Sequence, residues 1–326
     1  KDDHGRDEMN TKNINSSYMP VIDIIKAAAC IMIFFYHCNT ILPAEWKFLT
    51  VTGQDMGNNL FFMVSGFALA GSIDRTDPKN FPGWYLRRLI RILPVSAIAY
   101  IGSYFMGFYS LSDWKQLFTV FVYPTLYWFV SAILVYYIIL FAIAKIPWGK
   151  TIFITETVLF VLFIIFSERL ERLYIIGLFA MILGFVIKRY ELKSFQKRNA
   201  AIFIISLIIY ILSKIISVKY LSNIAGCSSV MGVGASLLLL GDYYNKSLSG
   251  IFGGGNPLRI VIRFVGDMAL PVYLVQCFCS GYIGYILSLT FSFPMSFFIN
   301  FILVWGIGSI VYLVSRNLMA CVKFKN

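Results

Sequence analysis

Apolar residues run through this chain in long blocks, each bounded by a short polar segment. Ten blocks are near the length that crosses a bilayer as a helix, about 20 residues. They fall at approximately 20–42, 57–73, 92–111, 126–146, 151–167, 173–188, 199–217, 225–242, 265–288 and 293–315. The second and eighth are short and rich in Gly, Ser or Asn, which suits tilted or centrally packed helices. No alternation of period two marks strands, and no internal repeat or second soluble domain is visible. The pattern predicts an all-α, polytopic transmembrane helix bundle of about ten helices spanning 18–316. A polar tail at 1–17 precedes it, and a short basic tail at 317–326 follows. The polar, charged start lacks a signal-peptide pattern, and Met9 is a candidate initiator with 1–8 as an upstream remnant.

Composition agrees with that class. Hydrophobic residues make up 59% and charged residues 13% of the chain, and the charged share is about half that of a soluble domain. Net charge is +12, and its placement sets an orientation. With the amino terminus inside, the inner segments hold 21 Lys and Arg and the outer segments 6, with Lys26 set aside within a helix. This asymmetry predicts ten spans with both termini cytoplasmic. The same basic balance carries no nucleic-acid-binding motif, so no nucleic-acid partner is expected. Cys30, Cys38, Cys227, Cys277, Cys279 and Cys321 show no paired spacing, and most read as small buried hydrophobes. With His4 in a polar tail, no metal site is expected.

Two ionisable residues in the first block stand out. Lys26 and His37 are eleven positions apart, roughly three turns, so they share a face about 16 Å apart along the axis. Ionisable groups at membrane depth are costly and usually mark a site. On the predicted orientation Lys26 lies toward the cytoplasm and His37 toward the outside. Asn58 and Asn59 of the second block, and Trp128 and Ser131 of the fourth, fall near the depth of His37. Depth alone leaves open whether they face one another. Asp23, three residues before Lys26, permits a local ion pair. His37 reads equally as a packed histidine bonded to a carbonyl or as a reactive base.

A basic stretch, Trp84 to Pro94, leads into the third span from inside. Its Arg88 and Arg91 are three apart and share a helix face, with Arg87 and Lys79 as auxiliary charge. Such forks suit phosphate oxygens, and equally the headgroups of anionic lipids. Other features are plainer. Glu156 reads as a paired or snorkelling carboxylate. Gly253-Gly254-Gly255 reads as a connector, without the lysine of a phosphate-binding loop. Asp267 is placed to pair with Arg263 at i and i+4.

Four of these stretches together resemble the acyltransferase 3 family of integral-membrane acyltransferases. Val21 to Ala29, followed by Phe35-Tyr36-His37, resembles the family's first helix, where an Arg and a His are separated by ten intervening residues. Gly57 to Phe67 is similar to its second helix. Arg88-Leu89-Ile90-Arg91-Ile92-Leu93-Pro94 is similar to its Arg-x-x-Arg motif. Tyr127-Trp128-Phe129-Val130-Ser131 opens the fourth span as in the family. A weaker likeness runs from Arg263 through Gln276. Two positions depart: Lys26 stands for the first-helix Arg, keeping the charge and losing the planar fork, and Gln276 stands where many members have His.

The resemblance implies transfer of an acyl group, most often acetyl, from acetyl-CoA to a hydroxyl of a cell-surface glycan. On that reading His37 is the general base, with an acyl-imidazole relay as second possibility. Arg88, Arg91 and Arg87 bind the phosphates of acyl-CoA. Lys26 binds a phosphate or lines the passage, and Asn59 or Ser131 orients the imidazole or stabilises the oxyanion. The partners are then acyl-CoA, a glycan acceptor and the lipid bilayer. Ten helices with buried ionisable groups also suit a transporter or flippase. The two departures suit a catalytically degenerate member.

Overall fold

A computed structural model describes residues 19–105, 107, 128–145, 155, 158, 159, 162, 171–190, 196–215, 219–251 and 256–321. Among the described residues the secondary structure is helical and contains no strand. The tail 1–17, residues 322–326, most of the fifth predicted span, Glu156, Tyr127 and the Gly253-Gly254-Gly255 run lie outside them.

The first helix, α1 (Pro20–His37), opens on a proline at its first turn, where a missing N–H costs nothing. Asp23 follows at the positive end of the helix dipole. The block predicted as 20–42 stops being α-helical at His37 and tightens into a 3-10 turn, Cys38–Thr40. A 3-10 segment, Ala44–Thr52, and a wide turn, Gly53–Gly57, lead directly into α2 (Asn58–Asp74). Next come α3 (Phe81–Phe105), α4 (Trp128–Lys145), α5 (Glu171–Arg189), α6 (Gln196–Ile215), α7 (Lys219–Tyr243) and the short α8 (Asn245–Ile251). The chain ends with α9 (Pro257–Phe278), α10 (Gly284–Thr290) and α11 (Phe293–Cys321).

Three boundaries differ from the sequence reading for physical reasons. The basic stretch expected to lead into the span at 92 is already helical: it forms the first turns of α3, which runs unbroken through Pro94. Pro94 removes one backbone hydrogen bond, but Trp84, Ile92 and Val95 bury their side chains and hold the helix on course. The block at 265–288 is broken, because the chain widens at Cys279–Ile283 between α9 and α10. Here Ser280 turns into a buried hydrogen bond instead of facing outward. Finally, α7 begins at Lys219, several residues before the apolar block.

Among the described residues four segments are long and apolar enough to cross a membrane: Pro20–Thr40, Ala44–Asp74, Trp128–Lys145 and Phe293–Met319. Helices α3, α5, α6, α7 and α9 have comparable lengths of 19 to 25 residues. Arg, Lys, Gly and Ser lower their apolar character. Large apolar side chains face outward on several helices: Phe105, Ile204, Ile260, Phe298 and Ile310 are all more than half exposed. Such faces call for an apolar surrounding.

Five helices, α1, α2, α3, α4 and α9, enclose the interior that matters for function. Helix α9 runs parallel to α1, with Gly266 against Asp23, Ala269 near Cys30 and Cys277 against His37. Helix α2 lies against α5 so closely that their backbones touch. A Cβ at Gly66 would run into the carbonyl oxygen of Met181, and one at Gly184 into that of Met63. Neither carbonyl can step aside as a side-chain tip would. Gly66→Ala is therefore expected to cost about 1–3 kcal/mol from overpacking. Thermal unfolding of the detergent-purified variant tests this, and an unchanged midpoint would show that α5 simply slides away.

Candidate functional site

His37 ends α1, and its ring is half-buried. Its Nε2 lies 3.7 Å from the Cys277 thiol on α9, and its ring meets Tyr36 edge-on at 5.2 Å. The thiol also donates to the Tyr273 carbonyl at 3.4 Å, which ties the His37 level to the turn of α9 below it. Buried polar groups surround this end. Asn300 on α11 donates to Ser280 Oγ at 3.1 Å and to Cys38 Sγ at 3.4 Å, and its Oδ1 has no partner. Gln276, fully buried, leaves both amide atoms without a hydrogen bond. Sequence reading singled out Gln276 as a departure, but missed Asn300 and Ser280 and took Cys277 as apolar filler.

Asn59 and Ser131 do not hydrogen-bond to His37. Asn59 donates to the Asp55 carbonyl one turn earlier, and Ser131 donates to the Trp128 carbonyl at 2.9 Å. Gly57, just before Asn58, packs on Ala29 and Ile33, so the second helix starts about a turn nearer Lys26 than His37 lies.

The other end of the interior is basic. A cavity of about 590 Å³ lies between α2, α3 and α4, and Arg75, Arg87, Arg88 and Arg91 line it, with Lys26 at its far end. No carboxylate is among its lining residues, so its field favours an anion. Arg88 is held firmly there. Its guanidinium lies 3.8 Å over the Trp84 ring, Nη1 donates to the Trp84 carbonyl at 2.8 Å, and Nη2 donates to Ser72 Oγ at 2.8 Å. Ser72 also accepts from the Trp84 indole at 3.3 Å, so one hydroxyl from α2 ties both residues of α3. The buried Arg88 Nε has no partner. The structure thus brings the predicted Arg87, Arg88 and Arg91 to one cavity and adds Arg75 and Ser72, which the pattern of α3 alone does not reveal. Lys79 lies apart, in the exposed 3-10 turn Pro78–Asn80.

Lys26 stands where this cavity meets a second one. Its Nζ lies 3.6 Å from Asp23, the ion pair expected from their spacing. The second cavity, of about 240 Å³, shares Lys26, Ser65, Ile92 and Tyr137 with the first. Beyond that neck its walls are Phe61, Phe129, Ile133 and Tyr273. Asp267 of α9 also lines it and pairs with Arg263 at 4.0 Å, again as the spacing predicts. The order along α2 is Arg75, Ser72, Ser65, Phe61, a rise of about 21 Å over fourteen residues. His37 lines neither cavity. It begins one helical turn past Tyr273, on the far side of the aromatic wall. Among the described residues no group of three His, Cys, Asp or Glu is placed to hold a metal ion.

A family model described as an acyltransferase domain matches residues 19–315, which cover all eleven helices but the last turns of α11. No curated protein and no solved structure matches the chain.

Proposed function

The chain belongs to the acyltransferase 3 family and is a membrane acyltransferase, and from that premise we propose that it moves an acyl group, acetyl by default, from cytoplasmic acyl-CoA to a hydroxyl of an extracytoplasmic glycan. The membrane is a bacterial cytoplasmic membrane, and both chain ends face inward. One observation carries the reading. A cavity lined by four arginines shares Lys26, Ser65, Ile92 and Tyr137 with an aromatic chamber, and Tyr273 of that chamber stands one turn before Cys277, which meets His37. Acyl-CoA has the same order of parts. Its phosphates are at one end, a thin pantetheine arm follows, and the thioester is at the other end. Arginine forks bind phosphate oxygens in pairs. Arg88 is fixed for this by Ser72 and Trp84, and Arg91, Arg87 and Arg75 add charge around it. Lys26, half-neutralised by Asp23, lines the passage of the arm.

His37 is the general base. A sugar hydroxyl attacks the thioester carbon while its proton passes to the free imidazole nitrogen. The new C–O bond forms, the C–S bond breaks, and the CoA thiolate takes the proton back from the imidazolium. The products are an ester and CoA thiol. The glycan reaches His37 from the end of α1 opposite the arginines. Asn59 and Ser131, whose hydrogen bonds close within their own segments, are not needed for this step.

The test uses the purified protein in liposomes with acetyl-labelled acetyl-CoA and glycan extracts. Label appearing in the glycan fraction, with release of one CoA thiol per ester, is the expected result. Movement of glycan across the bilayer without consumption of acetyl-CoA would replace this reading by transport.

A further inference from the structure

The geometry points to a chamber for the acyl group itself. We propose that the smaller cavity receives the acyl end of the donor, and that its walls admit short neutral aliphatic groups while rejecting anionic and long ones. The inference rests on the acyl-CoA reading above and goes further, since that reading leaves the acyl group open.

Position is the first argument. The chamber begins at the neck formed by Lys26, Ser65, Ile92 and Tyr137, where the basic cavity ends. A donor with its phosphates against Arg88 and its arm in the neck places its thioester here. Tyr273 forms the far wall, and Cys277, one turn on, touches His37. The reacting carbon is thus held on the near side of Tyr273, one turn short of the Cys277–His37 contact, and the rest of the acyl group has only the chamber to occupy.

Size is the second. The cavity holds about 240 Å³. At the roughly 30 Å³ that a molecule takes up in liquid water, that is room for about eight non-hydrogen atoms. Part of this is taken by the thioester, which leaves space for an acyl chain of up to about six carbons. The far walls cannot easily retreat. Phe129 lies 4.9 Å from Tyr273 and 6.0 Å from Phe61, ring centre to ring centre, and Phe129, Ile133 and Tyr273 are buried.

Charge is the third. Past the neck the walls are aromatic and aliphatic. Lys26 is paired with Asp23, and Asp267 adds a carboxylate that is itself paired with Arg263. A terminal carboxylate, as on a succinyl group, would meet no unpaired cation there and would lie among aromatic walls beside the like charge of Asp267, which disfavours it.

The experiment measures binding of CoA and of its acetyl, butyryl, hexanoyl, decanoyl and succinyl thioesters to the protein in nanodiscs by calorimetry. Label transfer is measured on the same series. Affinity relative to CoA is expected to rise from acetyl to hexanoyl and to fall at decanoyl. Succinyl-CoA is expected to bind on the order of 100-fold more weakly than butyryl-CoA, which has the same number of acyl carbons. Ile133→Phe narrows the chamber and lowers the tolerated length by about two carbons; Phe61→Ala widens it and lets decanoyl bind. The two variants move the limit in opposite directions, so misfolding of one leaves the other to decide. A flat series, or equal binding of succinyl and butyryl thioesters, with CoA binding intact and dependent on Arg88, would overturn the chamber alone. Failure of CoA itself to bind would overturn the donor reading, and the chamber with it.

Discussion

A His37→Ala variant is expected to fold like the parent and to transfer acyl groups 10²–10⁴-fold more slowly, the usual range for loss of a general base. The fold should survive because the ring is half-buried at the end of α1 and its neighbours are a thiol and the edge of Tyr36. The reaction should not survive, because among the described residues no second imidazole stands near. Gln276 sits beside Cys277 on α9, and an amide does not take up a proton at neutral pH. The measurement is kcat for transfer at saturating acetyl-CoA, beside a thermal unfolding curve. Transfer within tenfold of the parent by a folded variant would remove His37 from the reaction. Acid-quenched protein distinguishes the two chemistries open to an imidazole: a covalent relay leaves label on the chain, and general-base transfer leaves none.

The Arg88→Ala/Arg91→Ala double variant should fail differently. Hydrogen bonds to charged groups contribute about 1.5–3 kcal/mol each, so losing two forks is expected to raise KM for acyl-CoA by about 100-fold or more. At saturating donor kcat should stay within a few-fold, since neither guanidinium reaches the thioester in the proposed pose. Arg88→Lys keeps the charge but loses the stack on Trp84 and the paired bonds to Ser72 and the Trp84 carbonyl, so it should recover only part of the affinity. If the arginines serve only anionic lipid headgroups, KM will be unaffected and membrane integration will suffer instead.

The chemistry was legible in the sequence wherever one helix carries both partners. Asp23 with Lys26 and Arg263 with Asp267 are pairs at helical spacing, and both form. Arg88 and Arg91, three apart, reach one cavity. Order along the bundle, too, could be read from rise per residue, since the basic end, Lys26 and His37 follow one another as the spacing requires, although α2 starts about a turn nearer Lys26 than the sequence suggests. Rotation about each helix axis could not. Asn59 and Ser131 were matched to His37 by depth, yet each turns its polar group to its own backbone. The reverse holds for Ser72 and Arg75, which α2 brings beside α3, and for Asn300, which α11 brings to Cys38. The aromatic chamber draws on α2, α4 and α9 together, so no local pattern announces it. The unbroken passage of α3 through Pro94 was hidden for a similar reason, since what holds it is tertiary packing.

The contact between α2 and α5 has a consequence for measurement of length. With Gly66 and Gly184 each seated on the other helix's backbone, α2 is clamped and cannot stretch, slide or turn without parting from α5. Ser72, Ser65 and Phe61 lie on it and Arg75 caps its end, so headgroup cavity, neck and chamber are graduations on one rigid gauge. A donor is thus matched against a fixed scale, and one whose arm is a few ångströms too short or too long misses one mark whenever it meets the other.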